Sequence, residues 1–369
     1  MRRGHAGLPA LLVVGSLALA GCSGGSSGPT ADPSAPPSSP APSPDAVAAA
    51  DWLGGQLTDG LVVNEQYDVA DVGLSIDVAL GLADVDPVTA AAVGDAVTEP
   101  RTLAGYVGDP DTAAYAGATA KAAVLATTLD LDPTDVGGLD LPARLEGLVS
   151  TEGPTVGRVV DAGPDDFANV VGQTFAVRAL DGAGDGDLAD DVSAFLVQQQ
   201  CDDGGFRSTF SAPRAADQGC GDADVPDTDT TALAVVALLG RDDDEKAAAA
   251  AEEALSWLLA EQGDDGSFAG GVVGAQDDPE PNANSTGLAG QALALAGEDD
   301  AAGQAARWVS GLQVDADAPG PLAEEVGAVA YDQDALDRGA GQGITVPQQD
   351  QWRRTTAQAV LALAAVPGA

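Results

Sequence analysis

Histidine is almost absent from this sequence. The single one, His5, lies in the N-terminal leader, so the rest of the chain has no imidazole to act as base, nucleophile or metal ligand. That excludes a Ser/His/Asp triad and histidine-based zinc sites. No Gly-rich phosphate loop followed by Lys is present either. We therefore predict neither a metal nor a cofactor.

Aromatic and basic residues are also scarce. Only 4% of the chain is aromatic, and 15 Lys and Arg face 58 Asp and Glu, for a net charge of −43. A core built mainly from Ala, Leu and Val suits closely packed helices. The strongly acidic surface repels nucleic acid and anionic lipid headgroups, which excludes nucleic-acid partners. The composition is typical of an acidic, well-solvated exported protein.

The N-terminus has the pattern of an export signal. Arg2 and Arg3 precede a short apolar run, 8–20, that ends in Leu-Ala-Gly-Cys at Cys22. This ending resembles the bacterial lipobox, which implies cleavage after residue 21 and lipidation of Cys22. We predict a lipoprotein signal peptide over 1–21, a disordered Ser/Pro-rich tether over 22–45, and anchoring at the outer face of the cytoplasmic membrane. A plain signal peptide with an incidental cysteine is the alternative.

Residues 46–369 show helical periodicity throughout. The spacing predicts six helix pairs in an all-α fold, with Ala-rich, nearly uncharged second helices and charged first helices. The simplest closed arrangement is a single α6/α6 toroid of two concentric rings with the Ala-rich helices inside. The pairs are 46–57 with 68–82, 88–107 with 112–129, 141–160 with 166–180, 188–200 with 229–239, 246–261 with 285–296, and 301–313 with 351–366.

A short pattern recurs at the ends of the first helices: an aromatic, an aliphatic, Gln, then Gly-x-aromatic. It resembles the QW repeat of squalene and oxidosqualene cyclases, so the chain resembles the terpenoid cyclase/protein prenyltransferase superfamily. The resemblance implies the toroid, in which the Gln ties the helix end to the next turn and the aromatic packs between units. The matching residues are Phe195, Gln200, Gly204 and Phe206; Trp257, Gln262, Gly266 and Phe268; Trp308 and Gln313; and, less completely, Trp52 and Gln56.

The stretch 226–232 resembles the Asp-x-Asp-Asp-Thr-Ala motif of class II cyclases. The resemblance places Asp229 at the position of the acid that protonates the substrate, with Asp227 as its companion. Thr230 replaces the third acid, and the chain has few rings to line a carbocation cavity. We favour the alternative that Asp227 or Asp229 caps an inner helix, as Asn282 or Asn284 would one repeat later.

Cys201 and Cys220 flank an acidic insert. In an oxidising exterior they most simply form one disulfide. A Ca²⁺ site among the acids of the insert is conceivable, but no run of them has EF-hand spacing, so solvated acids are favoured.

By analogy, the mouth of the toroid lies at the starts of the inner helices. Its mixed acids, amides, Trp and Arg favour a polar ligand such as a glycan or peptide; ordinary caps and rim residues are the alternative. Besides Asp227 and Asp229, this predicted lining comprises Asp71, Tyr115, Gln173, Asn282, Asn284, Trp352, Arg353 and Arg354.

The sequence thus predicts a cell-envelope lipoprotein whose toroid is a binding or scaffolding module for a glycan, peptide or protein. The alternative is an extracytoplasmic enzyme, cyclase-like or carbohydrate-active, with Asp229 as general acid. Three or more aromatic residues beside Asp229 would favour the enzyme, and an Ala-lined, narrow lumen the scaffold. Ligand identity and oligomeric state do not follow from the sequence.

Overall fold

The computed structural model describes residues 41–184, 186–241, 243–270 and 279–366, so the predicted signal peptide and Cys22 lie outside the described part. The chain is mostly helical, as predicted. The helices are α1 (Pro44–Gly55), α2 (Val72–Leu82), α3 (Pro87–Val97), α4 (Pro100–Val107), α5 (Ala116–Thr128), α6 (Leu141–Glu146), α7 (Val170–Ala183), α8 (Gly186–Val197), α9 (Thr228–Leu238), α10 (Glu245–Glu261), α11 (Ala283–Leu295), α12 (Asp299–Ser310), α13 (Gln333–Gln342) and α14 (Val346–Ala365).

Six of these helices contact one another in a cycle. Along the chain, α2, α5, α7, α9, α11 and α14 each contact the next, and α14 contacts α2. We call them the inner helices. The remaining long helices pack against them: α3 on α2, α8 on α7, α10 on α9 and α12 on α11, while α1 packs on α14. Small residues allow the close approach, since a β-carbon on Gly287 would collide with the α14 backbone at Gln358.

Several helix boundaries differ from the predicted ones. The predicted helix 88–107 is two helices, α3 and α4, because Pro100 lacks the N–H that a continuous helix would need. Glu99 caps the second of them through the N–H groups of Arg101 and Thr102. The predicted helix 141–160 ends at Glu146, and a Gly- and Pro-containing loop follows. The last inner helix begins at Val346, before the predicted residue 351, with Pro347 in its first turn.

The first helix also begins earlier than predicted. Ser43, placed in the tether by the sequence, is buried and caps α1 through the N–H of Ala46. Its hydroxyl donates to the carbonyl of Leu363 at 2.8 Å. The ordered part therefore includes the end of the predicted tether.

Short strands connect the helices near the N-terminus. β1 (Leu57–Thr58), β2 (Leu61–Asn64) and β3 (Val69–Ala70) form an antiparallel sheet in that order, and β4 (Gly108–Asp109) pairs with β5 (Ala113–Ala114). Each lies between an outer helix and the next inner helix. Because these strands precede them, α2 begins at Val72 and α5 at Ala116, each later than the predicted start at residue 68 or 112.

The repeated glutamines join successive units. Gln200 Nε2 donates to the carbonyls of Gly204 (2.9 Å) and Ala250 on α10 (2.8 Å). Gln262 Nε2 makes the same pair of bonds, to Gly266 (3.2 Å) and to Ala301 on α12 (3.0 Å). Each amide thus holds its own turn and the following outer helix. We call these contacts the glutamine ties.

The other repeat residues are mostly packed in the core. Phe195, Phe206 and Phe268 are fully buried, Trp52 is 6% exposed, and Trp257 and Trp308 are half-buried. Gln56 departs from the tie pattern, because its side-chain carbonyl accepts from Arg353 Nε at 3.0 Å.

The acidic insert is cross-linked by the predicted disulfide. Cys201 and Cys220 form a disulfide with their Cα atoms 5.0 Å apart. Within the loop, the buried Arg207 donates to Gln199 Oε1 and pairs with Asp224 at 2.7 Å. The insert is therefore held by a covalent bond and by a buried guanidinium.

Candidate functional site

A cavity of about 630 Å³ lies among the inner helices. All six of them contribute side chains to its wall. On α7 the lining residues Val171, Phe175 and Arg178 are four and three positions apart, which places their side chains on one helical face. We call this the central cavity. The residues used below are Asp77 and Leu80 from α2, Lys121 from α5, Phe175 and Arg178 from α7, Leu233 from α9, Leu288 and Gln291 from α11, and Gln358 and Leu361 from α14.

An ion pair crosses the wall of the central cavity. Lys121 Nζ lies 2.6 Å from Asp77 Oδ1 and also donates to the Gly73 carbonyl at 3.0 Å. The same ammonium lies 5.6 Å from the centre of the Phe175 ring, within the range of a cation–π contact. The pair joins α2 to α5 with both side chains mostly buried, where a charge is stable only when it is paired.

Arg178 lies on the other side of the same ring. Its guanidinium carbon is 5.7 Å from the Phe175 centroid, and burial lowers the pKa of the group from its ordinary value. Among the described residues, Phe175 is also the single aromatic side chain in the cavity wall. The wall is therefore a mixture of charged, amide and aliphatic groups.

The two carboxylates singled out in the sequence have different roles. Asp227 is the N-cap of α9: its Oδ1 accepts from the N–H of Thr230 at 2.8 Å and from the Thr230 hydroxyl at 2.6 Å. The predicted cap therefore falls on Asp227. The expectation that Asp229 is a cap is wrong, because Asp229 is the second residue inside the helix and its side chain does not reach a free N–H group.

Asp229 is instead a half-buried residue whose carboxylate lies beside α11, with its Oδ1 atom buried. Its Oδ1 has no hydrogen-bond partner among the described residues, and a β-carbon on Gly270 would lie 3.1 Å from that oxygen. Burial, helped by the charge of Asp227, raises the pKa of Asp229 to about 6, while the Ser285 hydroxyl acts in the opposite direction. A carboxyl group with such a pKa can donate a proton near neutral pH.

Asp229 lies one helical turn from the central cavity, since Leu233 follows it by four residues on α9. Asn284 likewise precedes the cavity residue Leu288 by four positions on α11, and Arg354 precedes Gln358 by four positions on α14. The Asn284 Oδ1 is also buried and without a partner among the described residues. These three predicted residues thus lie at one end of the cavity wall.

The remaining predicted lining residues have structural partners. Asp71 caps α2 through the N–H of Leu74 (2.8 Å) and also accepts from Arg354 at 3.1 Å. Asn282 caps α11 through the N–H of Ser285 at 3.0 Å. Tyr115 precedes α5 without a side-chain capping bond. None of these residues lines the central cavity.

Three of the predicted lining residues are almost completely buried. Gln173 donates to the carbonyls of Gly157 (2.7 Å) and Val192 (2.9 Å), which makes it a further glutamine tie, contributed by an inner helix. Trp352 is 1% exposed, and Arg353 donates to the carbonyl of Val63 at 2.8 Å. They stabilise the ring and do not face the central cavity.

The sequence reasoning missed the charged residues of the cavity. Lys121 and Arg178 are basic residues in the middle of Ala-rich helices, in a chain with few basic residues, and that position was a usable signal. A charge placed inside an otherwise apolar helix points to a buried pair or a ligand site. Asp77, the partner of Lys121, is likewise a charged residue inside the otherwise apolar helix α2.

The described part of the chain shows no group of three or more His, Cys, Asp or Glu side chains that could hold a metal ion. In the same residues, no helix is both long and apolar enough to cross a membrane.

Comparisons with known proteins show the fold. No family model matches the chain, and no curated protein matches it. Among solved structures, a protein from Actinoplanes is similar with a TM-score of 0.57 and 18% identity, covering 87% of this chain and 98% of that one. A variant of the type II terpene cyclase MstE from Scytonema, in complex with its substrate geranylgeranyl dihydroxybenzoate, is similar with a TM-score of 0.59 and 15% identity. The match covers 87% of this chain and 96% of that one.

The unsaturated glucuronyl hydrolase of Bacillus sp. GL1 gives a TM-score of 0.57 and 12% identity, covering 86% of this chain and 94% of that one. The terpene cyclase and the glucuronyl hydrolase are both α/α-toroid folds. At these identities the similarity concerns architecture, and a toroid carries many unrelated functions.

Proposed function

We propose that this chain is an exported lipoprotein, anchored through Cys22, whose single α6/α6 toroid with QW-type repeats is a binding module. Its ligand site is the central cavity, and its ligand is a polar small molecule of the glycan or peptide kind. The tether between Cys22 and Ser43 would keep the toroid close to the membrane surface.

The observation that carries the proposal is the composition of the cavity wall. A volume of about 630 Å³ falls within the usual range for small-molecule sites, and aliphatic side chains with a few convergent polar groups are typical of them. The Asp77–Lys121 pair, Arg178 and two glutamines supply those polar groups. A scaffold without a ligand would gain stability from an apolar filling in this place.

The same wall argues against a carbocation reaction. A cyclase surrounds developing positive charge with aromatic faces, and here the described wall has Phe175 alone, already flanked by Lys121 and Arg178. Arg178, which has no salt bridge among the described residues, would repel a carbocation beside that ring. The cavity therefore suits a neutral or anionic ligand.

The test is a ligand screen with a blocked cavity. Libraries of soluble oligosaccharides and short peptides are added to the purified protein, and a ligand should raise the thermal unfolding temperature. Leu233→Trp should abolish the response, since Leu233 lines the cavity. Leu259→Trp, at an exposed position on the outer helix α10, is the matched control and should keep it. A response that survives Leu233→Trp would place the ligand elsewhere.

Anchoring is tested independently of ligand binding. Cys22→Ser removes the thiol that lipidation requires, so the protein should appear in the medium or stay as an unprocessed precursor. Recovery of the variant in the membrane fraction as a mature protein would contradict the anchor.

A second candidate function is an extracytoplasmic enzyme with Asp229 as general acid. It is favoured by the buried, unpartnered Oδ1 of Asp229, by the pKa raised to about 6, and by the enzymes among the similar folds. Geranylgeranyl dihydroxybenzoate and an unsaturated glucuronyl saccharide are the substrates to assay first. Turnover that disappears in a stably folded Asp229→Asn variant, and persists in Asp227→Asn, would replace the binding module by the enzyme.

A further inference from the structure

Arg178 is a half-buried cation without an anionic partner among the described residues. Six other arginines of the chain are not exposed, and each donates to a carboxylate, a side-chain amide or a backbone carbonyl: Arg144, Arg158, Arg207, Arg241, Arg353 and Arg354. Arg178 contacts the face of Phe175, and within the described residues it has neither a salt bridge nor a hydrogen bond. Partial removal from water weakens the hydration of a cation, and an anionic ligand beside Arg178 would offset that cost.

The other cation of the central cavity is already neutralised. Lys121 lies 2.6 Å from Asp77, so this pair adds no net charge to the wall. Asp84 and Asp130 also line the cavity, but both are exposed to solvent at the end where α2 and α5 finish. Away from that exposed rim, the described wall therefore has one positive charge without a counter-ion, while the rim would repel a ligand with several negative charges.

The surroundings of Arg178 are aliphatic. Leu80, Leu233, Leu288 and Leu361, from four different inner helices, line the same cavity. Gln358 also lines it, and its Oε1 is buried without a partner in the described structure, so it can accept one hydrogen bond from a ligand. A ligand that satisfies all these groups has one negative charge and an apolar body.

We propose that Arg178 is the anchor for a carboxylate, and that the natural ligand of the central cavity is a monoanionic carboxylic acid with an apolar body. This inference rests on the proposed binding function of the central cavity and replaces the broad glycan or peptide class by a ligand with one carboxylate and an apolar body. A guanidinium fork matches the two oxygens of a carboxylate, and both of the hydrogen bonds would be charge-assisted. The Phe175 face would keep the fork in place before the ligand arrives.

Three probes with one apolar body and different heads test the proposal: hexanoate, hexanamide and hexyl phosphate. Calorimetry on the purified full-length protein should show hexanoate binding at least about tenfold more tightly than hexanamide, because a charge-assisted hydrogen bond replaces a neutral one. Arg178→Gln should remove that preference, so that hexanoate binds no more tightly than hexanamide. Arg338→Gln, at an exposed position on α13, is the matched control and should keep it.

The possible outcomes test the role of Arg178 as carboxylate anchor separately from the binding function of the cavity. Equal binding of hexanoate and hexanamide would leave the cavity as a ligand site and overturn the role of Arg178. Tighter binding of hexyl phosphate than of hexanoate would overturn the monoanionic carboxylate. Absence of binding by all three probes would overturn the carboxylate assignment, while the binding function itself is tested by the screen of oligosaccharides and peptides and by Leu233→Trp. If Arg178→Gln does not fold, Arg178→Lys keeps the charge without the fork and should lose most of the preference.

Discussion

The side-chain amide of Gln313 donates a hydrogen bond to the backbone carbonyl of Asp45, 268 positions earlier in the chain, at 3.0 Å. The same Nε2 donates to the Gly327 carbonyl at 3.1 Å, and Ser310 donates to the Asp45 carboxylate at 2.6 Å. The residues at the end of α12 therefore meet the start of α1. Gln313 thus makes the same kind of glutamine tie as Gln200 and Gln262. The tie of Gln313 joins the last outer helix to the first, as the other two join consecutive outer helices.

We expect Gln313→Ala to destabilise the protein by about 1–3 kcal/mol. Two carbonyl groups lose their donor, and part-buried groups left unpaired account for most of the cost. Urea unfolding measures the change. Gln333→Ala, at an exposed position on α13, should change stability by less than about 0.5 kcal/mol, and a similar effect of both substitutions would contradict the role of the tie.

Gly204→Ala should also be destabilising, by more than about 1 kcal/mol. Gly204 has φ of +100°, and a β-carbon there would lie 2.7 Å from the Glu253 carbonyl oxygen on α10. Gly105→Ala is the matched control, since Gly105 lies in α4 with open space around it. That substitution should stabilise the protein by about 0.5–1 kcal/mol through helix propensity. Thermal unfolding of both variants checks the contrast.

The capping assignment of Asp227 predicts an asymmetry between two substitutions. Asp227→Ala removes the acceptor of the Thr230 N–H and should cost about 1–2 kcal/mol. Asp227→Asn keeps a capping oxygen and should cost less than about 0.5 kcal/mol. Equal losses in urea unfolding would show that the charge of Asp227 matters more than the cap.

The raised pKa of Asp229 predicts a pH-dependent stability. Since its folded-state pKa is about 6 against an ordinary value of 3.8, the folded state binds the proton more tightly than the unfolded state. The stability from this group is complete below about pH 4 and is lost as pH rises through 6, by up to about 3 kcal/mol. Asp229→Asn should match the wild type near pH 4 and exceed its stability at pH 8.

Urea unfolding between pH 4 and pH 8 makes this comparison. Asp229→Ala is a second variant, which also lacks the titrating group and should show the same change of slope with a constant offset. A wild type and Asp229→Asn variant with parallel profiles would mean that the carboxylate is solvated in the folded protein.

The disulfide predicts a moderate loss when it is removed. Because the bridge closes a loop over a separation of 19 residues, the Cys201→Ser, Cys220→Ser double variant should lose about 3 kcal/mol. Mass spectrometry after alkylation without reductant should find no free thiol at either position in the wild type. Alkylation of both cysteines in the folded protein would contradict the bridge.

Much of the helical fold followed from local patterns. Asp71, Asp227 and Asn282 stand immediately before apolar, Ala-rich runs, and each is the N-cap of its helix. Boundaries that went wrong involve proline or glycine: Pro100 divides α3 from α4, and α6 ends where a Gly- and Pro-containing loop begins. The six strict helix pairs stay a prediction, since α4 and α13 are extra helices between pairs.

By itself, the sequence determined the Ala-rich helices, their caps, the glycine turns and the pairing of Cys201 with Cys220. The helices, caps and turns depend on residues that lie close together in the chain. The disulfide follows because Cys201 and Cys220 can pair in only one way with each other. Only the tertiary structure decided that the Oδ1 of Asp229 is buried without a partner among the described residues, that Lys121 pairs with Asp77, and that Arg178 has no such pair there. The reason is physical: desolvation and ion pairing depend on which distant helices surround a side chain, and that arrangement exists only when the ring is assembled.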